Sequence, residues 1–371
     1  VIPTFSYVND VFFGFGVSGK LGAILKRSGL DRPLLVTDSG LMASGIADRT
    51  GLSHLPVYDG VETNPEETQI LEGLEVFRSR NCDGIVAVGG GSSIDLAKCV
   101  ALLVNHEGPL EQYAILRGGQ ARILKEVPPI VAVPTTAGSG SEVGKAALAT
   151  LQSGDKLGVL SSKLLPTAVV CDPELTFSMP AGLTAGTGMD AISHCVETYC
   201  STRENPIADA IALDGLARGC RWVGIATVEP ENRDARKEMM LCSLQGGLAF
   251  QKSLGAVHSL SHPLGALGKR LHHGTLNALF LPIVLRFNTD SCPEKIDAMA
   301  ARLGLKCGED LPGFFRDLNV ALGIPDCLSA MGVTEEELEP LAEKALADHC
   351  SATNPRPLTA RDCRRLYLET L

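Results

Sequence analysis

Five of the eight histidines in this 371-residue chain lie between positions 194 and 273, and they are the residues with most to offer chemically. Asp190 and His194 are four apart, as are His258 and His262, and on a helix such pairs project from one side. His272 and His273 follow, next to Gly274. Imidazole and carboxylate together suit first-row divalent metals such as Fe(II), Zn(II) or Mn(II), and no cysteine stands at a matched spacing. A single such histidine is ordinarily a satisfied core or surface residue. Five of them with an aspartate, paired in this way, point to a metal site instead. The spacing leaves open whether four residues bind the ion or three bind it and another carries protons. His54, His106 and His349 stand apart from the group and are read as incidental.

The other chemistry-bearing residues are in glycine-rich loops. Gly89-Gly90-Gly91-Ser92-Ser93 separates the apolar run Gly84–Val88 from a helix-like run, Ile94–Leu103. Glycines let a backbone approach a pyrophosphate there, and the N–H groups and positive dipole end of the helix face it. Ser92 or Ser93 can cap that helix. No Gly-Lys-Ser/Thr follows, so this is not a nucleotide-hydrolysing P-loop. A second polar loop, Pro134 to Glu142, leaves the next strand at its carboxyl end, where ligands bind in open α/β sheets. Gly14-Phe15-Gly16-Val17-Ser18-Gly19 matches G-x-G-x-x-G literally, and Asp38 ends a strand 22 residues after Gly16. That match alone is weak: the strand before it, Asp10–Phe13, is short, and a turn that simply needs glycines competes with it. Two polar loops on successive strands make a nucleotide cleft the better reading.

These residues need a scaffold, and the apolar pattern supplies one. Pro33–Asp38, Gly84–Val88, Pro129–Val133 and Ala168–Asp172 read as buried strands. Glu66–Arg80 reads as a helix with Ile70, Leu71, Leu74 and Phe77 at helical spacing. Short continuous apolar strands interleaved with helices mean a parallel sheet covered on both faces. Beyond Pro180 the spacing turns helical, as in Ile207–Leu213 and Glu335–Ala347. The expected organisation is an α/β domain with the nucleotide-cleft loops over residues 1–180. An all-α domain with the metal-site residues follows over residues 181–371, the boundary falling near Met179–Gly182.

Composition agrees. Hydrophobic residues at 45% against 20% charged leave ample material for a core. Acidic residues outnumber basic ones, 43 to 33, and a net charge of −10 argues against nucleic acid or an anionic membrane as partner. No apolar run approaches the roughly 18 residues of a membrane span, and Val1–Thr4 carry no secretory-signal features. Twelve cysteines without a C-x-x-C pair read as reduced thiols of a cytoplasmic protein.

In order along the chain, four stretches resemble the signatures of the iron-containing (group III) alcohol dehydrogenases: Gly89–Lys98, Pro134–Glu142, Thr187–His194 and His258–Gly265. The last is followed by His273-Gly274 and Asn277-Ala278. The likeness runs from Phe13-Gly14 to Asn354-Pro355-Arg356. It implies a Rossmann-like domain joined to a helical one, the dehydroquinate synthase-like architecture, with the active site in the cleft between them. It assigns the pyrophosphate to Gly89, Gly90, Gly91, Ser92 and Ser93, with Asp95 in the same motif, and leaves Gly14–Gly19 structural. Asp38 keeps a place by the adenosine ribose, which favours NAD over NADP because an acid there repels a 2′-phosphate. Thr135, Thr136, Ser141 and Lys156 would line the cofactor path, with Leu183 near it. Asp190, His194, His258 and His273 would hold one divalent metal, Fe2+ or Zn2+, and His262 would sit beside the nicotinamide as a catalytic proton relay.

One spacing departs from the family pattern. The 11 positions from His262 to His273 are one more than the family's usual interval. His272 would fit the count, whereas His273 fits the His-Gly context and is preferred, the extra residue falling in the loop Leu267–Arg270. The implied function is a metal-dependent, NAD(P)-linked alcohol dehydrogenase or aldehyde reductase acting on a small alcohol or carbonyl, as a homodimer or higher homo-oligomer. The competing readings are a maleylacetate-reductase-like or dehydroquinate-synthase-like enzyme, and a non-catalytic assembly protein keeping the fold. Asp190 with three histidines speaks against both enzymes, and the intact cofactor and metal motifs speak against the assembly protein.

Overall fold

The computed structural model describes residues 7, 9–152, 156–269 and 271–371, so Arg270 of the expected insertion lies outside the described residues. Contacts divide the chain into two units, Tyr7–Phe177 and Ser178–Leu371.

The first unit is built on strands β1 (Asp10–Phe13), β2 (Leu34–Val36), β3 (Val57–Tyr58), β4 (Ile85–Gly89), β5 (Ile130–Pro134), β6 (Ala146–Thr150), β7 (Lys156–Leu160) and β8 (Ala168–Cys171). Its helices are α1 (Leu21–Arg27), α2 (Ser39–Ala43), α3 (Ile46–Arg49), α4 (Glu67–Ser79) and α5 (Gly91–Asn105). Six strands form one parallel sheet in the order β1-β8-β5-β4-β2-β3, while β6 and β7 pair as a separate antiparallel hairpin. The continuous apolar runs have the expected cause. Leu34, Val36, Ile85, Ala87, Ile130 and Ala132 enter one core cluster, and Leu35, Val86, Val88, Val131 and Val133 the other, so alternate residues feed opposite faces of a doubly covered sheet.

Two features of this unit differ from the sequence reading. The helix after the glycine loop begins at Gly91 with Gly90 as its N-cap, so neither Ser92 nor Ser93 caps it. The hairpin of β6 and β7 was not expected at all. Its strands, Ala-Ala-Leu-Ala-Thr and Lys-Leu-Gly-Val-Leu, are poor in β-branched residues, and β6 packs against α5 while β7 pairs with β6.

The second unit is helical: α6 (Ala181–Cys200), α7 (Pro206–Val228), α8 (Arg233–Ala249), α9 (Ala256–Leu264), α10 (His273–Asn288), α11 (Pro293–Arg302), α12 (Leu311–Ala321), α13 (Glu335–Leu338), α14 (Leu341–Ala347) and α15 (Ala360–Glu369). The expected helix Glu335–Ala347 is two, broken where Pro340 removes a backbone donor. Helix α6 is buried along most of its length because α7, α8 and α10 all pack on it. Glycines set those approaches: a Cβ on Gly274 would lie 2.2 Å from Gly186 O, and one on Gly246 3.0 Å from His194 Cβ. Among the described residues no helix is long and apolar enough to cross a membrane, and all twelve cysteines are free thiols.

Candidate metal centre and nucleotide loops

The close crossing of α6 and α10 puts Asp190 and His273 side by side, and α9 brings His258 to the same point. Asp190 Oδ1 lies 3.7 Å from His194 Nε2, 3.6 Å from His258 Nε2 and 3.8 Å from His273 Nε2. Donor atoms of a tetrahedral ion bound at about 2.0–2.1 Å are roughly 3.4 Å apart, close to the distances from Asp190 Oδ1. Asp190, His194 and His258 are buried, and their donor atoms form the mutually compact group, with His273 beside Asp190 but outside it. His272 takes a different place. It is the N-cap of α10, its Nδ1 accepting from Thr275 N at 3.3 Å and lying 2.9 Å from Thr275 Oγ1.

The donor chemistry fits a divalent cation. Burial works against the Asp190 carboxylate, yet His194, His273 and His258 outweigh it and hold its pKa well below the ordinary range. For His258 burial pulls down, while Asp190 and Glu197 together bring it up to about 9. Asn277 gives an independent sign: its Nδ2 stands 2.7 Å from Asp190 Oδ1 and 3.1 Å from both His258 Nε2 and His273 Nε2, while its buried Oδ1 has no partner. This amide thus stands where the Asp190 carboxylate and the two imidazoles face one another.

Sequence reading missed the residues that support the cage. Glu197, two turns after Asp190 on α6, accepts from His258 Nδ1 at 2.5 Å and from Val257 N at 2.6 Å. Its signal was present, an acid one turn after His194 on a face that buries ligands. His262 is buried on α9, its ring stacked with those of His273 (centroids 5.4 Å, 14°) and His349 (5.9 Å, 16°). His349 is therefore not incidental: the chain returns after α14 and lays it on His262, a contact that separation in sequence hides. Asp348 Oδ2 lies 2.9 Å from His262 Nδ1. Burial opposes its charge, but His262 and His349 hold the Asp348 carboxyl well below its usual range.

In the first unit, the connections after β2 and β4 leave in opposite directions, to β3 and to β5, which makes their carboxyl ends a topological switch point. Val36 pairs with Ala87, so Asp38 and Gly89, each two residues further on, stand level at that edge. Asp38 caps α2, accepting from Leu41 N at 2.9 Å. Gly90 brings no side chain to the first-turn N–H groups of Gly91, Ser92 and Ser93. The neighbouring loop requires two of the glycines, since a Cβ on Gly90 would stand 3.2 Å from Thr136 Oγ1 and one on Gly91 2.8 Å from Ser139 Cβ; one on Gly89 would meet Ser93 Oγ of its own segment at 2.2 Å. Thr135 N–H donates to Gly89 O at 3.0 Å, closing the two loops together.

Beneath these loops Lys98 is fully buried, its Nζ within 2.6 Å of Ser141 O, 3.0 Å of Ser141 Oγ, 2.9 Å of Gly144 O and 2.8 Å of Ala146 O. Burial brings its pKa down to about 8. Ser141 Oγ donates to Asp95 Oδ1 at 2.5 Å, and Leu148 N to Asp95 Oδ2 at 3.1 Å. Asp95 and Ser141 thus spend these polar atoms shaping the loop from below. Lys156, on β7, donates to Asn64 Oδ1 at 2.7 Å, and Leu183 lies in the first turn of α6, in the other unit. The literal fingerprint is held from outside, with Asp172 accepting from Gly16 N (3.1 Å), Ser18 N (3.1 Å) and Ser18 Oγ (2.6 Å).

A glycine-rich loop at the carboxyl edge of a parallel sheet and an aspartate–histidine group in a helical unit are the parts that the class of metal- and nucleotide-dependent oxidoreductases requires. Comparison with known proteins makes this specific. The family model for iron-containing alcohol dehydrogenase matches residues 9–173, and the C-terminal model of that family matches residues 184–371. The chain belongs to the iron-containing alcohol dehydrogenase family. It is 49% identical to 4-hydroxybutyrate dehydrogenase of Cupriavidus necator, over 98% of this chain and 99% of that protein. It is 38% identical to 1,3-propanediol dehydrogenase of Citrobacter freundii, over 97% and 96%. A crystal structure of 1,3-propanediol oxidoreductase superposes with a TM-score of 0.94 at 37% identity, all of both chains being covered. Sulfoacetaldehyde reductase from Bifidobacterium kashiwanohense, solved with NAD+, superposes at 0.89 with 29% identity, over 100% of this chain and 99% of that one. The protein is an alcohol dehydrogenase acting on CH–OH groups, of a family that uses a metal and NAD(P).

Proposed function

We propose that this enzyme interconverts a short primary alcohol carrying a polar group at its far end, of the 4-hydroxybutyrate type, with its aldehyde, using NAD+ in preference to NADP+. The observation that carries the reading is the cage of Asp190 Oδ1 with three imidazole Nε2 atoms at 3.6–3.8 Å. Asp190, His194, His258 and His273 would hold one divalent ion, Fe2+ or Zn2+, and such an ion supplies Lewis-acid activation of a substrate oxygen. Glu197 takes the proton-bearing Nδ1 of His258, which leaves Nε2 bare toward the cage. Asn277 steadies the Asp190 carboxylate. His262 takes the alcohol proton on oxidation and returns it on reduction.

In the first unit the uncapped start of α5, with Gly89, Gly90, Gly91, Ser92 and Ser93, would receive the pyrophosphate. Thr135 and Thr136 would steady the nicotinamide, Lys156 and Leu183 would border the cofactor path, and Asp95 and Ser141 would set the loop. Asp38 at the neighbouring strand end favours NAD+. The substrate class is supported by the relative at 49% identity. The working unit would be a homodimer or higher homo-oligomer.

The test is NADH formation by purified protein loaded with Fe2+ or Zn2+, over 4-hydroxybutyrate, 1,3-propanediol and ethanol, with NADP+ in parallel. Highest kcat/KM for the hydroxy acid with NAD+ is expected. Absence of turnover with either metal, or activity undiminished in Asp190→Ala, would overturn the reading.

A further inference from the structure

Asp348 belongs to none of the four motifs, yet its carboxylate meets the imidazole of His262. It directly follows α14, and both its oxygens are engaged: Oδ2 lies 2.9 Å from His262 Nδ1, and Oδ1 accepts from Cys350 N at 2.8 Å. The backbone bond fixes the carboxylate's orientation. An ionised carboxylate only accepts hydrogen bonds, so the nitrogen facing it must be N–H. In a neutral imidazole the other nitrogen, Nε2, then has a free lone pair. Stacking on His273 and His349 fixes the plane of the ring, and the bond to Asp348 fixes which edge faces the carboxylate.

We propose that Asp348 is a positioning residue for proton transfer, holding His262 as the Nδ1–H tautomer so that Nε2 is the atom that accepts and returns the substrate's proton. The proposal rests on the reading of His262 as the proton-transfer group. On oxidation the O–H bond of the alcohol breaks and an N–H bond forms at Nε2, while the hydride leaves carbon for the oxidised nicotinamide. On reduction both transfers reverse. Asp348 forms and breaks no bond in either direction.

The same residues admit a second interpretation, since donor atoms of His262, Asp348 and Cys350 lie close enough to chelate an ion. The hydrogen bonds speak against it. Both Asp348 oxygens already have partners, and the His262 nitrogen that faces Asp348 is the one the carboxylate requires to be protonated.

Three measurements on the Zn2+-loaded enzyme test the proposal. Nitrogen-15 NMR of the unmodified protein should find His262 protonated at Nδ1, and protonation at Nε2 overturns it whatever any variant does. Asp348→Asn, whose amide can turn an N–H toward His262, should lower kcat by about 10²–10⁴-fold with KM and zinc content within about twofold of wild type, the range general acid–base residues contribute. Asp348→Glu, which keeps an acceptor, should recover at least tenfold of that loss. His262→Gln separates the two levels. If it is fully active, the reading of His262 fails and this proposal with it. If it is impaired while Asp348→Asn keeps wild-type kcat, the proposal alone fails.

Discussion

Glu197 offers a measurement of how far the metal cage depends on atoms that never touch the ion. Its carboxylate accepts from His258 Nδ1 at 2.5 Å, from Val257 N at 2.6 Å and from His258 N at 3.3 Å. Glu197→Gln keeps shape and volume but replaces one acceptor by an NH2 group. If Oε1 stays with Val257, the new N–H faces His258 Nδ1 and drives the ring to its other tautomer, whose proton points into the cage. Loss of such an outer carboxylate typically costs 10–100-fold in metal affinity, or about 1.4–2.8 kcal/mol. The metal-free fold should lose about 1–3 kcal/mol as well, since a buried donor is left facing a donor. Competition against a chelator of known affinity, with metal content read by elemental analysis, gives the first figure, and urea unfolding of metal-free protein the second. Metal affinity within twofold of wild type in a folded Glu197→Gln protein would refute the tautomer reasoning.

The two adjacent histidines should separate cleanly. His273→Ala should lose most of its bound metal on dialysis, whereas His272→Ala should keep it and lose about 1 kcal/mol of stability with the α10 cap; equal metal loss in both would contradict the assignment. Asp38→Ala should narrow the preference for NAD+ over NADP+ and, with its bond to Leu41 N gone, cost about 1 kcal/mol in thermal unfolding; an unchanged coenzyme ratio would remove Asp38 from the ribose site. Burial raises Glu142 to about 7 from an ordinary 4.5. Between those values the folded protein keeps a proton that the unfolded chain has released, so stability falls as pH rises, by on the order of 3 kcal/mol. Urea midpoints across that window should show the fall in wild type and not in Glu142→Gln, and parallel curves would disprove it.

What could be read from the sequence follows physical range. The strands Ile85–Gly89 and Ile130–Pro134 announce themselves because both faces are covered, and the pairs Asp190/His194 and His258/His262 because helical periodicity is local. The hairpin β6–β7 did not, since strands so poor in β-branched residues carry little local strand signal. His349 and Asp348 were missed for a related reason: 86 residues separate Asp348 from His262, and no periodicity spans that gap. The serine cap expected on α5 illustrates the reverse error. Propensity favours Ser there, but the structure leaves the first turn to Gly90, and Ser93 tucks against Gly89 instead.

The proposed cage would take its four donors from α6, α9 and α10, helices that meet only when this unit is folded. An ion held there is therefore a fastener as well as a reagent, because an unfolded chain offers it no comparable site. At a free concentration 100 times the dissociation constant, such binding adds about 2.7 kcal/mol to the folded state. A cell short of the metal would then hold less of this enzyme as well as slower copies of it, because proteases act on chains that open.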